Sequence, residues 1–318
     1  MSEKLTRTQK KIHNSSLEIL MKQGTIKDAM FQHSVLCQTF LPYRNLGKDT
    51  TSWERKQGNA VLLLESSKVL DQNTGHYESP GLPFGPRARI IMAYADTQAV
   101  KTQDPVINLE GSLNAFLKKL GWGTDGRTRA GVEDQIKRLL GTHIKVGYIS
   151  DEPGGKRVKG ANIQLVSDYD LWYSNQDDQN LLFPSYIKYS ERYFEHLMEH
   201  AVPLDERALA SLSHNAMALD IYAWLAQRLH RVNPGKPQFV SWKDIKEQFG
   251  YGYSTMKKFK EVFRKTLALA HSQYSRARIQ EQANKGYWLY NSPSPIEKKN
   301  MVFLDKAKDV KFGADTVK

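Results

Sequence analysis

The chain has a single cysteine, Cys37, so no internal disulfide can form. That points to a reducing compartment, the cytoplasm. Its setting, "SVLCQTFL", is apolar and favours a buried structural thiol over a nucleophile. No apolar run approaches the roughly eighteen residues of a membrane helix, so no membrane partner is expected. The first residues, "MSEKLTRTQKKIHNSS", lack the apolar stretch of a secretory signal. Acidic residues are also short: 34 Asp and Glu against 46 Lys and Arg, a net charge of +12. That excess favours an acidic partner, a nucleic acid or an anionic membrane face. The plain alternative is a basic soluble protein with no polyanion partner.

Two ordinary domains, or one large one, fit in 318 residues. Residues 1–40 start polar and basic, then carry Leu17, Ile19, Leu20, Ile26 and Met30 in an irregular helical pattern broken at Gly24. Short helices or a flexible segment are expected there, with packing on the body and self-association both open. From Leu41 the texture changes, with one strand-like run at Ala60 to Leu64. The turn-rich "DQNTGHYESPGLPFGPR" leads to Pro86, suited to the first turn of a helix through "PRARIIMAYADTQAVKT". "NLEGSLNAFLKKLGW" predicts a short helix capped by Asn108 and ended by Gly121, with Leu113, Phe116, Leu117 and Leu120 on one stripe. A second helix, "RTRAGVEDQIKRLLG", turns Val132, Ile136 and Leu139 inward and Arg127, Lys137 and Arg138 outward. Ile144, Val146 and Tyr148 then alternate, as do Ile163, Leu165, Tyr169 and Leu171, giving two half-buried strands joined by "SDEPGGKRVKG". Helix, short helix, turn, helix and basic hairpin make a winged helix.

The order then repeats beyond an acidic boundary between Asp168 and Glu206. A long helix runs through "DERALASLSHNAMALDIYAWLAQRLHRV". "SWKDIKEQFG" is a short helix, capped by Ser241 with Asp244 three residues on and stopped by Gly250. "YGY" is the turn. The next helix is capped by Ser254 and turns Met256, Phe259, Phe263 and Leu267 inward. A strand, an Asn-Lys-Gly turn and an aromatic strand complete a second wing. The expected class is α+β, mainly α, with tandem winged helices: an N-terminal segment 1–40, a first domain 41–185, a second domain 186–292 and a disordered tail 293–318.

Charge placement carries the functional signal. Ser254 to Arg278 holds seven Lys/Arg and one acid, Glu261, half the excess of the whole chain. With the apolar residues inward, Lys257, Lys258, Arg264 and Lys265 face out, where a helix in a major groove meets phosphates and guanine edges. Glu261 lies mid-face, placed to accept from a cytosine amino group. A solvated face is the ordinary meaning of a charge run, but such faces mix signs, and this one barely does. In the first domain Arg127, Thr128 and Arg129 stand at a helix start that suits a phosphate. Wing contacts fall to Lys156, Arg157 and Lys159 in one domain and Arg276, Arg278 and Lys285 in the other.

The catalytic alternatives are weaker. Gly154-Gly155-Lys156-Arg157 is not a P-loop: the earlier glycine is Ser150, Arg157 replaces Ser/Thr, and a strand follows. His196 and His200 are four apart but have no evident third metal ligand. Tyr186, Tyr189 and Tyr193 invite comparison with a rolling-circle nickase, yet the chain has no His-x-His for its metal. Asp177-Asp178 has no His or metal partner nearby. No enzyme activity, cofactor or metal is expected.

The run from Leu41 to about Val146 resembles the RepA-type plasmid replication initiators, themselves similar in broad style to iteron-binding Rep and TrfA-type proteins. The residues that carry the resemblance are "LPYR", "WERKQGNAVLLL", "GLPFGPRARIIMAYADTQAVKT", "INLEGSLNAFLKKLGW" and "GVEDQIKRLL", with Gln98 where the family pattern has Glu. The resemblance implies binding to repeated sites in duplex origin DNA, help in melting an adjacent AT-rich segment, and recruitment of the host initiator and replicative helicase. It also implies a dimeric form that represses its own gene, and a cytoplasmic, nucleoid- or plasmid-associated location. A transcriptional repressor with no replication role and a tyrosine-dependent nicking initiator are the competing readings.

Overall fold

The computed structural model describes residues 6–57, 60–109, 117–118, 122–171 and 185–296. Helix α1 (Arg7–Met21) starts at Thr6, whose hydroxyl accepts from Gln9 N while the Gln9 side chain accepts from Thr6 N. This reciprocal cap satisfies two donors that the helix leaves open. Around Met30 the expected helix is instead a strand. β1 (Ala29–His33) is buried along its whole length and pairs with β11 (Ala201–Asp205). A strand covered on both faces has no alternation to read.

The first half is built around α2 (Gly85–Thr102), which is buried on nearly every side from Ala88 to Val100. A helix that is apolar all round belongs inside. It packs against β1, α3 (Gly126–Leu140), α4 (Glu191–His200) and α6 (Ala216–Leu229). Val132, Ile136 and Leu139 of α3 are buried, as their spacing predicts. The helix expected over 108–121 lies mostly outside the described residues. Asn108, read as its cap, ends strand β6 (Val106–Asn108), and Leu117 is helical and buried.

Beside this core lies an antiparallel sheet in the order β2-β3-β7-β8. Its strands are β2 (Ser52–Gln57), β3 (Ala60–Ser66), β7 (Thr142–Glu152) and β8 (Gly155–Gln164). The hairpin of β7 and β8 is longer than the sequence predicts. Pairing continues to Glu152 and Gly155, leaving only Pro153 and Gly154 as the turn. Gly154 has φ +92°, so proline followed by a left-handed glycine closes it. The strand expected from Ile163 to Leu171 is two strands in two sheets. The chain leaves β8 at Leu165, and β9 (Val166–Asp170) pairs with β10 (Tyr186–Tyr189), which also pairs with β6. A minor hairpin, β4 (Val69–Leu70) and β5 (Tyr77–Glu78), occupies the turn-rich stretch.

In the second half, the long helix expected from Asp205 is broken. α5 (Glu206–Leu212) ends before Asn215, whose side chain accepts from Ala218 N and starts α6 afresh. α7 (Trp242–Phe249) has the predicted capping box of Ser241 and Asp244. α8 (Met256–Ser272) follows the turn at Tyr251–Tyr253. β12 (Gln238–Ser241), unread in the sequence, joins β13 (Ile279–Gln282) and β14 (Gly286–Leu289) in the order β12-β14-β13. Five sheets among the described residues make this a mixed α/β chain, with more strand than a mainly α class allows.

The halves share one core. The Phe40 ring stacks on Phe249 at 4.9 Å, and Trp53 meets Tyr251 edge-on at 4.3 Å. α1 lies on α5 and α8: Gln273 donates its side-chain amide to Ile12 O at 3.0 Å, and Ser15 its hydroxyl to Arg207 O at 3.1 Å. Ile296 is buried and bridges to Gly24. Among the described residues, no helix is long and apolar enough to cross a membrane.

Candidate nucleic-acid interface

The strongest cationic feature stands on a helix whose inner face is packed with aromatic rings. Phe259, Phe263 and Leu267 of α8 are buried, and Trp242 lies edge-on to both phenylalanines and to Tyr287 of β14. The helix is capped one residue later than expected: the Thr255 side chain, not that of Ser254, accepts from Lys258 N. Ser254 is left exposed ahead of the cap. Lys257, Lys258, Glu261, Arg264 and Lys265 are exposed on the outer face, as the wheel predicts.

Their pairing could not be read from the wheel. Glu261 lies between Lys258 at 3.2 Å and Lys265 at 3.0 Å. Hydrogen bonds from Lys265 and Lys258 hold its carboxyl below the usual glutamate value. Arg264 is bound elsewhere. Its Nη2 donates to Glu281 of β13 at 2.6 Å, its Nε lies 3.1 Å from both Glu281 oxygens, and its guanidinium sits 5.1 Å over the Trp242 ring. It braces helix to hairpin, and meeting a base edge requires exchange of that carboxylate. Lys257 has no ion pair among the described residues, and Lys285 is exposed in the turn between β13 and β14. The other two residues placed at that hairpin tip belong to its base. Arg276 and Arg278 precede β13; Arg276 donates to the Gln23 side chain just past α1, and Arg278 lies 5.8 Å from the Tyr290 ring.

The first half corrects more of the expectation. At the start of α3, the Asp125 carboxylate already accepts from Thr128 N and the Thr128 hydroxyl. It fills the place given to a phosphate, and those bonds hold its pKa below the usual aspartate value. Arg127 is exposed and Arg129 half-buried. Lys137 is paired with Asp71 at 3.1 Å. Arg138 does not face outward: it is buried, donating to Asp134 at 2.9 Å and to Leu82 O at 3.1 Å, with Phe84 beneath its guanidinium at 5.0 Å. The wheel placed it opposite Val132, but the loop before α2 folds back over that side. Lys156, Arg157 and Lys159 lie on β8 itself and are exposed. Lys156 is 4.0 Å from Asp151 and Arg157 is 3.5 Å from Glu152, loose exposed pairs of little energetic weight.

Where the structure describes them, the residues weighed for catalysis are engaged with other side chains. Tyr189 and Tyr193 are buried and donate to Asp96 at 2.8 and 3.1 Å. Burial pushes both phenols well above their usual value. Tyr186 donates to Asp168 at 3.0 Å. His196 hydrogen-bonds His33 at 3.1 Å and packs edge-on with His200. No group of three or more His, Cys, Asp or Glu is arranged to hold a metal among the described residues. Cys37 is fully buried, and burial raises its thiol pKa. Asp177-Asp178 lies outside the described residues.

A search of curated proteins finds no match. Among solved structures, a crystal structure of domains 2 and 3 of RctB superposes with a TM-score of 0.51 at 12% identity, covering 83% of this chain and 99% of that one. A second structure of RctB domains 2–3 gives 0.48 at 12% identity, covering 82% and 97%. At that identity the likeness concerns the fold alone. The family model described as plasmid-encoded RepA protein matches residues 82–244, just over half of the chain. The match begins at Leu82, shortly before α2, and runs into α7, so the chain belongs to the plasmid-encoded RepA family of replication initiators.

Proposed function

We propose that this initiator binds duplex origin DNA sequence-specifically, at repeated sites, through two tandem winged-helix units, and that it acts without catalysis. The observation that carries the reading is the outer face of α8. Lys257, Lys258 and Lys265 stand exposed on a helix whose inner face is locked by aromatic packing, with Lys285 at the tip of the neighbouring hairpin. A rigid cationic helix beside a basic hairpin suits a major groove flanked by backbone. α7, the turn and α8 have the helix-turn-helix order, and β13–β14 takes the place of the wing. The first half offers α3 and the long β7–β8 hairpin in the same order, with Arg138 buried and Lys137 paired with Asp71.

The family supports a role in starting plasmid replication. Opening of an adjacent segment, contacts with the host initiator and helicase, and a dimeric form that represses the gene are parts of the same proposal. The burial of Tyr189 and Tyr193 against Asp96 supports a protein that does not nick.

Footprinting on the DNA flanking the gene tests the reading. A ladder of evenly spaced protected repeats is expected. Neutralising about 6 to 10 phosphates makes affinity fall by about 10³ to 10⁵ between 50 and 200 mM salt, and a salt-insensitive complex counts against the proposal. Maintenance of an origin-only plasmid with the gene in trans separates an initiator from a mere repressor. A covalent adduct with supercoiled origin DNA and Mg²⁺ would overturn the non-catalytic part.

A further inference from the structure

The turn between α7 and α8 is held by the other half of the molecule. Tyr251 packs edge-on against Trp53 of β2, and the Arg55 guanidinium lies 5.0 Å from the Trp53 ring and 5.3 Å from the Tyr251 ring. Arg55 also donates to Gln248 O at 3.2 Å, near the end of α7. The third contact is Arg44. A Cβ on Gly252 would lie 2.9 Å from Arg44 Nη2 and 3.6 Å from its Cζ, so the guanidinium rests directly on the turn. Gly252 has φ +83°, a left-handed conformation in which a side chain is strained as well as obstructed.

Arg44 differs from the cations around it. Arg264 is spent on Glu281, and Arg55 lies between two rings with its amino group on a carbonyl. Arg44 is exposed and has no ion pair or hydrogen bond among the described residues. The fold therefore presents an unpaired guanidinium against Gly252, five residues before Lys257, yet draws it from the opposite half of the chain.

We propose that Arg44 contacts a backbone phosphate of the duplex engaged by α8, so that the surface meeting a single DNA site is assembled from both halves. The inference rests on the DNA-binding reading above and adds to it. A guanidinium fork matches two phosphate oxygens, and a glycine turn lets it and the backbone approach together. Because Trp53 and Arg55 grip the same turn, the junction between the halves also sets where this contact falls.

The test uses the full chain and an origin duplex. Arg44→Gln is expected to reduce the slope of log Kobs against log[salt] by about 0.9 and to weaken binding roughly tenfold at about 0.1 M salt. In phosphate-ethylation interference, one phosphate should cease to interfere while the others remain. Arg44→Lys should restore most of the affinity, and the thermal midpoints of both variants should match the parent's. An unchanged slope and interference pattern in Arg44→Gln would overturn the proposal, as would an affinity loss that follows a fallen midpoint and is not rescued by lysine. If the parent itself fails to bind duplex DNA, the proposed function falls and this inference with it. If the parent binds and Arg44→Gln is indistinguishable from it, only the inference falls.

Discussion

Arg89 and Asp220 form a two-pronged ion pair across the junction of the halves, Nε to Oδ1 at 2.6 Å and Nη2 to Oδ2 at 2.8 Å, with both side chains buried. The remaining guanidinium hydrogens go to the carbonyls of Gly85 at 2.8 Å, Pro42 at 3.2 Å and Leu41 at 2.6 Å. Every donor of Arg89 is used. Burial pushes the Asp220 carboxyl up to about 6 against the pull of Arg89. Helix α2 is thereby tied to α6, and the segment between β1 and β2, through the carbonyls of Leu41 and Pro42, to both.

Removing one partner strands a buried charge. Asp220→Ala and Arg89→Ala should each lower stability by about 3 to 5 kcal/mol, read from the denaturant midpoint. The double variant should cost clearly less than the two added, because the stranded charge is gone. Additive losses would show that the pair is not coupled.

Asp96 and His33 oppose one another in pH. Burial raises Asp96 to about 7 from 3.8, although Tyr189, the His33 N–H and Tyr193 bond to it. Its stabilising contribution is therefore full below about 4 and lost as pH rises to 7. Burial lowers His33 to about 3 from 6.5, with His196 and His200 adding to the shift. Its contribution is full above 6.5 and lost as pH falls towards 3. Between about pH 4 and 6.5 the two slopes cancel. Relative to the parent, Asp96→Asn should gain stability with rising pH by up to ~1.4 kcal/mol per unit, and His33→Gln should lose it. Denaturant titrations of the two variants at several pH values check the opposite signs.

The cap of α8 separates neighbouring residues. Thr255→Ala should destabilise by about 1 kcal/mol, while Ser254→Ala should leave the thermal midpoint in place. If Ser254 touches DNA, its substitution changes affinity alone.

On the outer face, Lys265→Ala should weaken all sequences alike and lower the salt slope by about one. Glu261→Gln releases Lys258 and Lys265 from their shared carboxylate, so it should tighten binding to unrelated duplex. If Glu261 also accepts from a cytosine, the same variant loses about 1 to 3 kcal/mol of preference at one base pair. Competition binding with single-substituted sites measures both.

The second half was largely legible in the chain. Its apolar residues recur at helical spacing, Ser241 and Asp244 make a local capping box, and the hairpin has a turn of Asn, Lys and Gly. Each signal acts over a few residues and so survives in the linear order. β1 and β12 were not legible, since one is covered on both faces and the other is a short run leading into a cap. The charges on α8 could be assigned to its outer face, but not their partners.

By itself, the sequence determined the excess of positive charge, the inward faces of α3 and α8, and the residues that carry the family resemblance. Only the tertiary structure decided that Arg138 is buried, that Asp125 fills the start of α3, that Arg264 belongs to Glu281, and that Arg44 reaches Gly252. The physical reason is range. Helical period and capping are set by neighbours three or four residues apart, whereas an ion pair or a packed guanidinium depends on which distant segment arrives beside it.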